Sequence, residues 1–202
     1  MSQQAEHEEI KKKILTTGIR VGTEVKTKFM IPYITQANPE GLYLFDLDIT
    51  LNRIQTAARF IKKFDIKKVI VYSGRTYATT PIEKFCQLTG AKKMLGRFMP
   101  GTLTNPSLPY YSEPKLIVVS DPQVDAQAVT EATNAGIPVI GIANTDNVTS
   151  KLDLVIPANN RGRKALATIY WLLASEILQD SKAMKYEIDD FETKTAEVEE
   201  EL

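Results

Sequence analysis

The sequence predicts a three-layer α/β/α domain on a doubly wound parallel sheet with flavodoxin-like strand order. Short apolar runs alternate with helix-period segments, and 43% of the 202 residues are apolar, enough for one sizeable core. A complete β-α-β unit also lies between Lys115 and Asp146. Its runs Leu116 to Val119 and Val139 to Ile142 are typical of strands buried on both faces. A crossover helix between two such strands makes them parallel.

The crossover helix is predicted from its capping residues. Asp121 is a suitable N-cap, and Pro122 suits the first helical position because no amide hydrogen is needed there. Gly136 is predicted to end the helix. Its sheet-facing side is small and apolar, formed by Val124, Ala128, Ala132 and Ala135.

The remaining elements follow the same two periodicities. Four further strands are predicted at Leu42 to Phe45, the first strand of the core, Val69 to Tyr72, Ala91 to Leu95 and Asp153 to Pro157. Pro157 makes the last of these an edge strand, since it cannot continue a central ladder. Three further helices are predicted, with an apolar stripe over residues 51–64, from Thr80 to Leu88 before Gly90, and from Arg161 to about Ile177. Tyr170 and Trp171 in the last helix are interpreted as packing residues.

Charge is strongly segregated along the chain although the net charge is zero. Residues 1–9 carry −3, residues 10–100 carry +11, residues 101–185 carry −1 and residues 186–202 carry −7. We therefore divide the chain into an acidic end with a basic arm (1–37), an α/β domain (38–180) and an acidic tail (181–202) expected to be disordered. The arm either drapes across a partner or packs on its own domain. The basic half favours a polyanionic partner.

Several functions are disfavoured by composition. The single cysteine, Cys86, excludes an internal disulfide and a multi-cysteine zinc site, and we interpret it as a buried hydrophobe. His7 has no partner at ligand spacing. The longest apolar run, Ala165 to Ala174, is too short to span a bilayer, so a cytoplasmic protein is expected. We expect no metal, cofactor or small-molecule substrate.

One enzymatic hypothesis remains open. The run from Asp46 through Asp48 to Thr50 resembles the first motif of haloacid-dehalogenase-type phosphohydrolases, with Asp46 as nucleophile and Asp48 as acid and base beside magnesium. Ser73 resembles the second motif, and Asp121 with Asp125 resembles the metal-binding acids. Aspartate and serine are equally ordinary caps where a strand meets a helix. A nucleotide-binding module using the crevice at the strand ends is a third hypothesis.

Binding to structured RNA is the competing hypothesis. Basic side chains neutralise phosphates, and the long loop 96–114 carries four prolines. Phe98 in this loop either stacks on a base or packs under its own loop. Without a recognisable RNA-binding signature, recognition is expected to rest on shape and backbone. The predicted RNA-contacting residues are Lys11, Lys12, Lys13, Arg20, Lys26, Lys28, Arg75, Lys92, Lys93, Arg97, Phe98, Thr102, Asn105, Arg161, Arg163 and Lys164.

Four segments in order carry a family resemblance: Gly96 to Pro106, Val119 to Ala128, Gly136 to Val139 and Val155 to Ala165. They resemble the small-subunit ribosomal protein S2 family in its archaeal and eukaryotic branch, over about residues 10–178. The resemblance implies a non-enzymatic flavodoxin-like domain bound to small-subunit ribosomal RNA and to neighbouring small-subunit proteins. The lack of the bacterial helical insertion and of the long eukaryotic extension suggests an archaeal type. Two residues depart from the family pattern. Arg20 stands where relatives often carry histidine, and a cation there still suits phosphate. Asp48 stands where relatives usually lack an acid, so the phosphohydrolase likeness is interpreted as accidental.

Overall fold

A computed structural model describes residues 13–178 and 186–193. Its strands are β1 (Ile34–Ala37), β2 (Tyr43–Phe45), β3 (Val69–Ser73), β4 (Lys92–Leu95), β5 (Leu116–Val119), β6 (Val139–Ala143) and β7 (Leu154–Pro157). Its longer helices are α1 (Leu47–Ile61), α2 (Thr79–Thr89), α3 (Ala126–Asn134) and α4 (Arg163–Leu178). Strands β3 to β7 form one parallel sheet in the order β4-β3-β5-β6-β7. Its first strand lies between its second and third, which confirms the predicted flavodoxin-like order.

The burial of the strands follows their place in the sheet. Every residue of the central strands β3, β5 and β6 is buried, as their β-branched runs predict. Strands β4 and β7 are the two edges, and their residues are partly exposed. The edge position predicted from Pro157 is therefore confirmed.

Two apolar clusters cover the two faces of this sheet. The larger cluster joins α1, α2 and α4 to one face, with Ile54, Phe85 and Tyr170 among its fully buried side chains. The smaller cluster joins α3 to the other face. Phe98 and Leu103 belong to this second cluster, so the loop between β4 and β5 covers sheet surface that a crossover helix would otherwise cover. The three-layer architecture is confirmed.

The prediction that Leu42 to Phe45 forms the first strand of the core sheet is wrong. Strand β2 pairs antiparallel with β1 in a separate two-stranded sheet, with Ile34 opposite Phe45. A tight turn joins the two strands, with Gly41 at a φ of 86°. Phe45 is fully buried in a third small cluster with Met30 and Ala143. A short apolar run therefore gave the signal of a buried strand without belonging to the parallel sheet.

Two helices begin later than predicted. Helix α3 begins at Ala126 with Asp125 as its N-cap residue, because Asp121 instead starts a preceding turn, in which its Oδ1 accepts the amide of Gln123 at 2.9 Å. Helix α4 begins at Arg163. The Asn159 side chain accepts the amides of Arg161 and Gly162 at 3.0 and 3.2 Å, which holds those residues in the turn before the helix.

Residues 13–37 pack on their own domain. Ile14 and Ile19 are buried in the larger cluster, and Met30 is buried beside Phe45. Two bonds join the segment to the residues after β7: the Asn159 amide donates to the Ile19 carbonyl at 2.9 Å, and its side chain donates to the Gly18 carbonyl at 3.1 Å. Of the two alternatives for the basic arm, the structure shows the packed one. The boundary predicted at residues 37 and 38 falls in the β1–β2 hairpin.

The acidic residues 186–193 also pack on the domain. Phe191 is fully buried in the larger cluster, and the Trp171 indole donates to the Tyr186 carbonyl at 2.6 Å. The Thr193 hydroxyl donates to the Tyr77 carbonyl at 2.9 Å. The rest of the predicted tail lies outside the described residues. Within the described ranges, no helix combines the length and the apolar character that crossing a bilayer demands.

Candidate nucleic-acid interface

The first group of basic residues is assembled where the arm crosses the carboxyl ends of β6 and β7. The amide of Thr27 donates to the Thr145 carbonyl at 2.8 Å, and its hydroxyl donates to the Asn147 carbonyl at 2.8 Å. These bonds and those of Asn159 bring the arm beside the start of α4. We define the resulting arm patch as Lys13, Arg20, Lys26, Lys28, Arg161, Arg163 and Lys164.

The members of the arm patch differ in how freely they face solvent. Lys13, Lys28 and Lys164 are exposed. Lys26 is also exposed, with its ammonium 4.6 Å from the centre of the Tyr43 ring. Arg20 is half-buried and donates from Nε to the Phe45 carbonyl at 2.9 Å, so its first role is to fix the arm to β2.

Arg161 and Arg163 stand at the start of α4. The exposed Arg161 forms an ion pair with Asp146, from the loop after β6. Arg163 is half-buried at the first position of the helix. Together they extend the positive charge of the arm patch along the carboxyl edge of the sheet.

The second basic group lies at the opposite edge of the sheet. We define this loop patch as Lys92, Lys93, Arg97 and Asn105, all of which are exposed. Lys93 forms an ion pair with Glu83 of α2, and Asn105 accepts the Ser107 amide at 3.1 Å. Strands β4 and β7 are four inter-strand spacings apart, so about 19 Å separates the two edges. The basic residues named from the sequence therefore lie in two separate patches.

Phe98 and Thr102 are assigned to packing, which corrects the interpretation of both as RNA contacts. Phe98 is 7% exposed, and its ring stands edge-to-face on Tyr72 with 5.2 Å between centroids. Thr102 is 3% exposed, and its hydroxyl donates to the Met99 carbonyl at 2.5 Å. The long loop is therefore folded under its own apolar side chains, and only its outer residues face solvent.

Glu131 organises this loop and was not found from the sequence. It is 5% exposed on α3, and its carboxylate accepts the amides of Gly101 at 2.8 Å and Leu103 at 3.3 Å. The Gln127 side chain donates a third bond at 2.8 Å. The sequence feature that could have revealed this role is an acid beside Ala128 and Ala132, on the face of α3 that packs on the sheet. A buried carboxylate at such a position requires donors, and here loop amides supply them.

The crevice between β3 and β5, where the strand order reverses, is filled by side chains of this chain. Arg75 follows β3 and donates from Nε and Nη2 to Asp121 Oδ2 at 2.8 and 2.5 Å. Asp121 is fully buried, whereas the Arg75 side chain is 23% exposed. Arg75 is therefore engaged in an ion pair inside the domain, and its contact with RNA stays a prediction. The buried hydroxyls of Ser120 and Tyr170 form a hydrogen bond of 2.7 Å with each other.

Asp125 closes the same crevice. Its carboxylate accepts the Gly74 amide at 2.8 Å and the Asp121 amide at 3.1 Å. It is 1% exposed, and burial raises its pKa to about 7, against the lowering effect of these two amides and of Arg75. In doubly wound folds, ligands bind at such a switch point. Here the Gly74 amide, which would face a bound phosphate, already donates its hydrogen bond to the Asp125 carboxylate.

The geometry required by the phosphohydrolase hypothesis is not formed. Asp46 follows β2, outside the parallel sheet, and its Oδ1 caps α1 by accepting the amides of Asp48 at 2.9 Å and Ile49 at 3.3 Å. Asp121 and Asp125 follow β5, in the other sheet. Over residues 13–178 and 186–193, no three histidine, cysteine or acidic residues are grouped so as to hold a metal ion. Lys11, Lys12 and His7 lie outside the described residues.

Cys86 shows the properties of a packing residue. It is 7% exposed in the larger cluster, and burial raises the pKa of its thiol to about 12. A thiol that stays protonated is a poor nucleophile. This confirms the interpretation of Cys86 as a small buried hydrophobe.

These features define a class: an α/β scaffold whose crevice is closed by its own salt bridge and whose outer edges carry positive charge. Comparison with known proteins gives the family. The profile described as Ribosomal protein S2 matches residues 109–180. The chain is 70% identical over 205 residues to the small ribosomal subunit protein uS2 of Nitrosopumilus maritimus, covering 98% of this chain and 99% of that one.

Further relatives agree. The protein of the same name from Cenarchaeum symbiosum is 60% identical and covers 95% of each chain. That from Thermofilum pendens is 54% identical, covering 82% of this chain and 77% of the relative. The chain belongs to the ribosomal protein S2 family, which confirms the resemblance seen in its motifs. It is a family of structural proteins and not of enzymes, and the relatives are archaeal.

Proposed function

We propose that this chain is a structural constituent of the small ribosomal subunit and works in the cytoplasm. Its partners are ribosomal RNA and neighbouring small-subunit proteins. The observation that carries the proposal is the 70% identity, over nearly the whole length of both chains, to a protein named for that subunit. The filled crevice supports it, because the scaffold offers its charged edges to a partner instead of a ligand pocket.

Within this function, the arm patch and the loop patch are the proposed RNA-binding surfaces. Lys13 and Lys164 reach solvent from the arm and from α4, and Arg97 reaches it from the loop. Each phosphate neutralised by such a side chain releases counterions, so binding strength falls with salt in proportion to the number of neutralised phosphates. The two patches lie at opposite edges of the sheet, whose edge strands are about 19 Å apart, and together they suit an extended RNA backbone.

The first experiment tests the assignment to the subunit. A tagged full-length chain is expressed in an archaeal host, and the cell extract is separated on a sucrose gradient. The tag is expected in the small-subunit fractions, together with small-subunit ribosomal RNA. A chain found only among free proteins at the top of the gradient contradicts the proposed function.

The second experiment tests the arm patch by salt dependence. The affinity of the purified chain for protein-free small-subunit RNA is measured at several salt concentrations. The double replacement Lys13→Ala and Lys164→Ala is expected to reduce the slope of log K against log salt by about 0.7–0.9 for each phosphate that the variant no longer neutralises. The matched control replaces Lys62 and Lys63, two exposed lysines just after α1, and keeps the slope. Equal slopes for both double variants contradict the assignment of the arm patch.

A further inference from the structure

Four large apolar side chains are exposed on the arm and on the loop to which it is bonded at the carboxyl edge of the sheet. On the arm, Val25 is 62% exposed, Phe29 49% and Ile31 50%. Val148, in the loop after β6, is 59% exposed. The bonds from Thr27 to the carbonyls of Thr145 and Asn147 hold the arm against this loop. We call these four residues the apolar strip.

The fold does not require the apolar strip. The same stretch of chain is anchored by Met30, which is fully buried, and by Thr27, which supplies the two bonds to the loop after β6. With about half of each side chain in water, the four residues expose on the order of 400 Å² of apolar surface. The largest apolar patch of a typical monomer covers about 300–600 Å² and is often functional, so the apolar strip is a candidate interaction site.

The charges around the apolar strip indicate what covers it. Lys26 and Lys28 alternate with the apolar residues and are exposed, and Glu24 is the one exposed acid at its end. Apolar side chains gain little from a phosphate backbone, whereas a protein interface combines an apolar centre with a charged rim. A rim with this excess of lysine is complementary to acidic side chains.

We propose that the apolar strip is the docking surface for a neighbouring small-subunit protein, through an apolar segment flanked by acidic residues. The inference rests on the proposed function and deepens it by naming one surface and one kind of partner. The strip and the RNA-binding patches then divide the arm: Val25, Phe29 and Ile31 face protein with Lys26 and Lys28 at their rim, while Lys13 and Lys164 of the arm patch face RNA.

Photo-crosslinking tests the proposal in the assembled particle. The chain carries a benzophenone amino acid in place of Phe29 or Val148 and is incorporated into small subunits in the cell, which are then purified and irradiated. Both positions are expected to give a ribonuclease-resistant adduct with the same small-subunit protein. Mass spectrometry is expected to identify a crosslinked peptide in which apolar residues lie beside acids. Adducts with RNA alone, adducts with a second copy of this chain, or no adduct at either position overturn the proposal.

A substitution experiment measures the contribution of the strip. Phe29→Ser is expected to reduce incorporation into small subunits at least tenfold in competition with the unchanged chain, while its affinity for protein-free ribosomal RNA stays within twofold. Val124→Ser is the matched control, since Val124 is 50% exposed after β5 and lies outside the strip, and it is expected to compete equally. Equal competition by Phe29→Ser overturns the inference. Failure of the unchanged chain to enter small subunits contradicts instead the proposed function.

Discussion

Replacing Asp125 by asparagine tests the closed crevice through the pH dependence of stability. Asp125 is 1% exposed, and burial is the main reason why its pKa is raised from 3.8 to about 7. Asparagine has nearly the same shape and keeps one oxygen for the Gly74 amide. It removes the charge and the titration. The Asp121 amide loses its acceptor, which lowers stability by an amount that does not depend on pH.

The sign of the effect follows from proton linkage. Between pH 4 and pH 7 the folded chain keeps on Asp125 a proton that the unfolded chain has released, so the free energy of unfolding falls as pH rises. The pKa difference is about 3 units, and each unit corresponds to roughly 1.4 kcal/mol. The loss contributed by this carboxyl between pH 4 and pH 8 is therefore about 4 kcal/mol. The asparagine variant is expected to lack it.

Urea unfolding at constant ionic strength between pH 4 and pH 8 measures this difference. Trp171, the single tryptophan of the chain, donates to the Tyr186 carbonyl and provides the fluorescence signal. The stability of the asparagine variant relative to the unchanged chain is expected to rise by about 4 kcal/mol across the range. Parallel pH profiles, or a relative stability that falls with pH, would show that Asp125 is not held in a desolvated crevice.

Three further stability predictions follow from the same packing, each measured by urea unfolding. Arg75→Met leaves the buried Asp121 carboxylate without its cation and is expected to cost about 3–5 kcal/mol; adding Asp121→Asn should recover part of it, and no recovery contradicts the pair. Phe191→Ala empties a fully buried site and is expected to cost about 3–5 kcal/mol, whereas Tyr186→Ala, at 40% exposure, should cost clearly less. Gly141→Ala places a Cβ 2.5 Å from Leu152 Cδ1 and is expected to cost about 1–3 kcal/mol; Leu152→Ala should remove most of this added cost if the clash is its cause.

The parallel sheet was predictable because its signals are local. The runs at Val69 to Tyr72 and Leu116 to Val119 read as strands buried on both faces, and each became a central strand. The crossover rule then left few possible strand orders. Strand β2 shows the limit of this reasoning, since the residues Tyr43 to Phe45 are equally apolar but pair with β1.

The polar sites were less predictable because their partners are distant in sequence. Arg75 meets Asp121 46 residues later in the chain. In a sequence, Arg75 cannot be distinguished from the solvent-facing Arg97. The sequence could not decide whether Phe98 stacks on an RNA base or packs in the core. The structure assigns it to the core because the loop 96–114 covers one face of the sheet. Glu131 was missed because its donors are backbone amides of another segment, which no side-chain pattern reveals.

The attachment of the arm to residues after β7 has a consequence for biosynthesis. Gly18 and Ile19 are bonded to Asn159, about 140 positions further along the chain. During translation the N-terminal cations are made first, but their docking site is complete only when nearly four-fifths of the 202-residue polypeptide has left the exit tunnel. Until then the arm is an untethered polycation next to abundant nucleic acid, and closure of this long-range pairing comes late in folding.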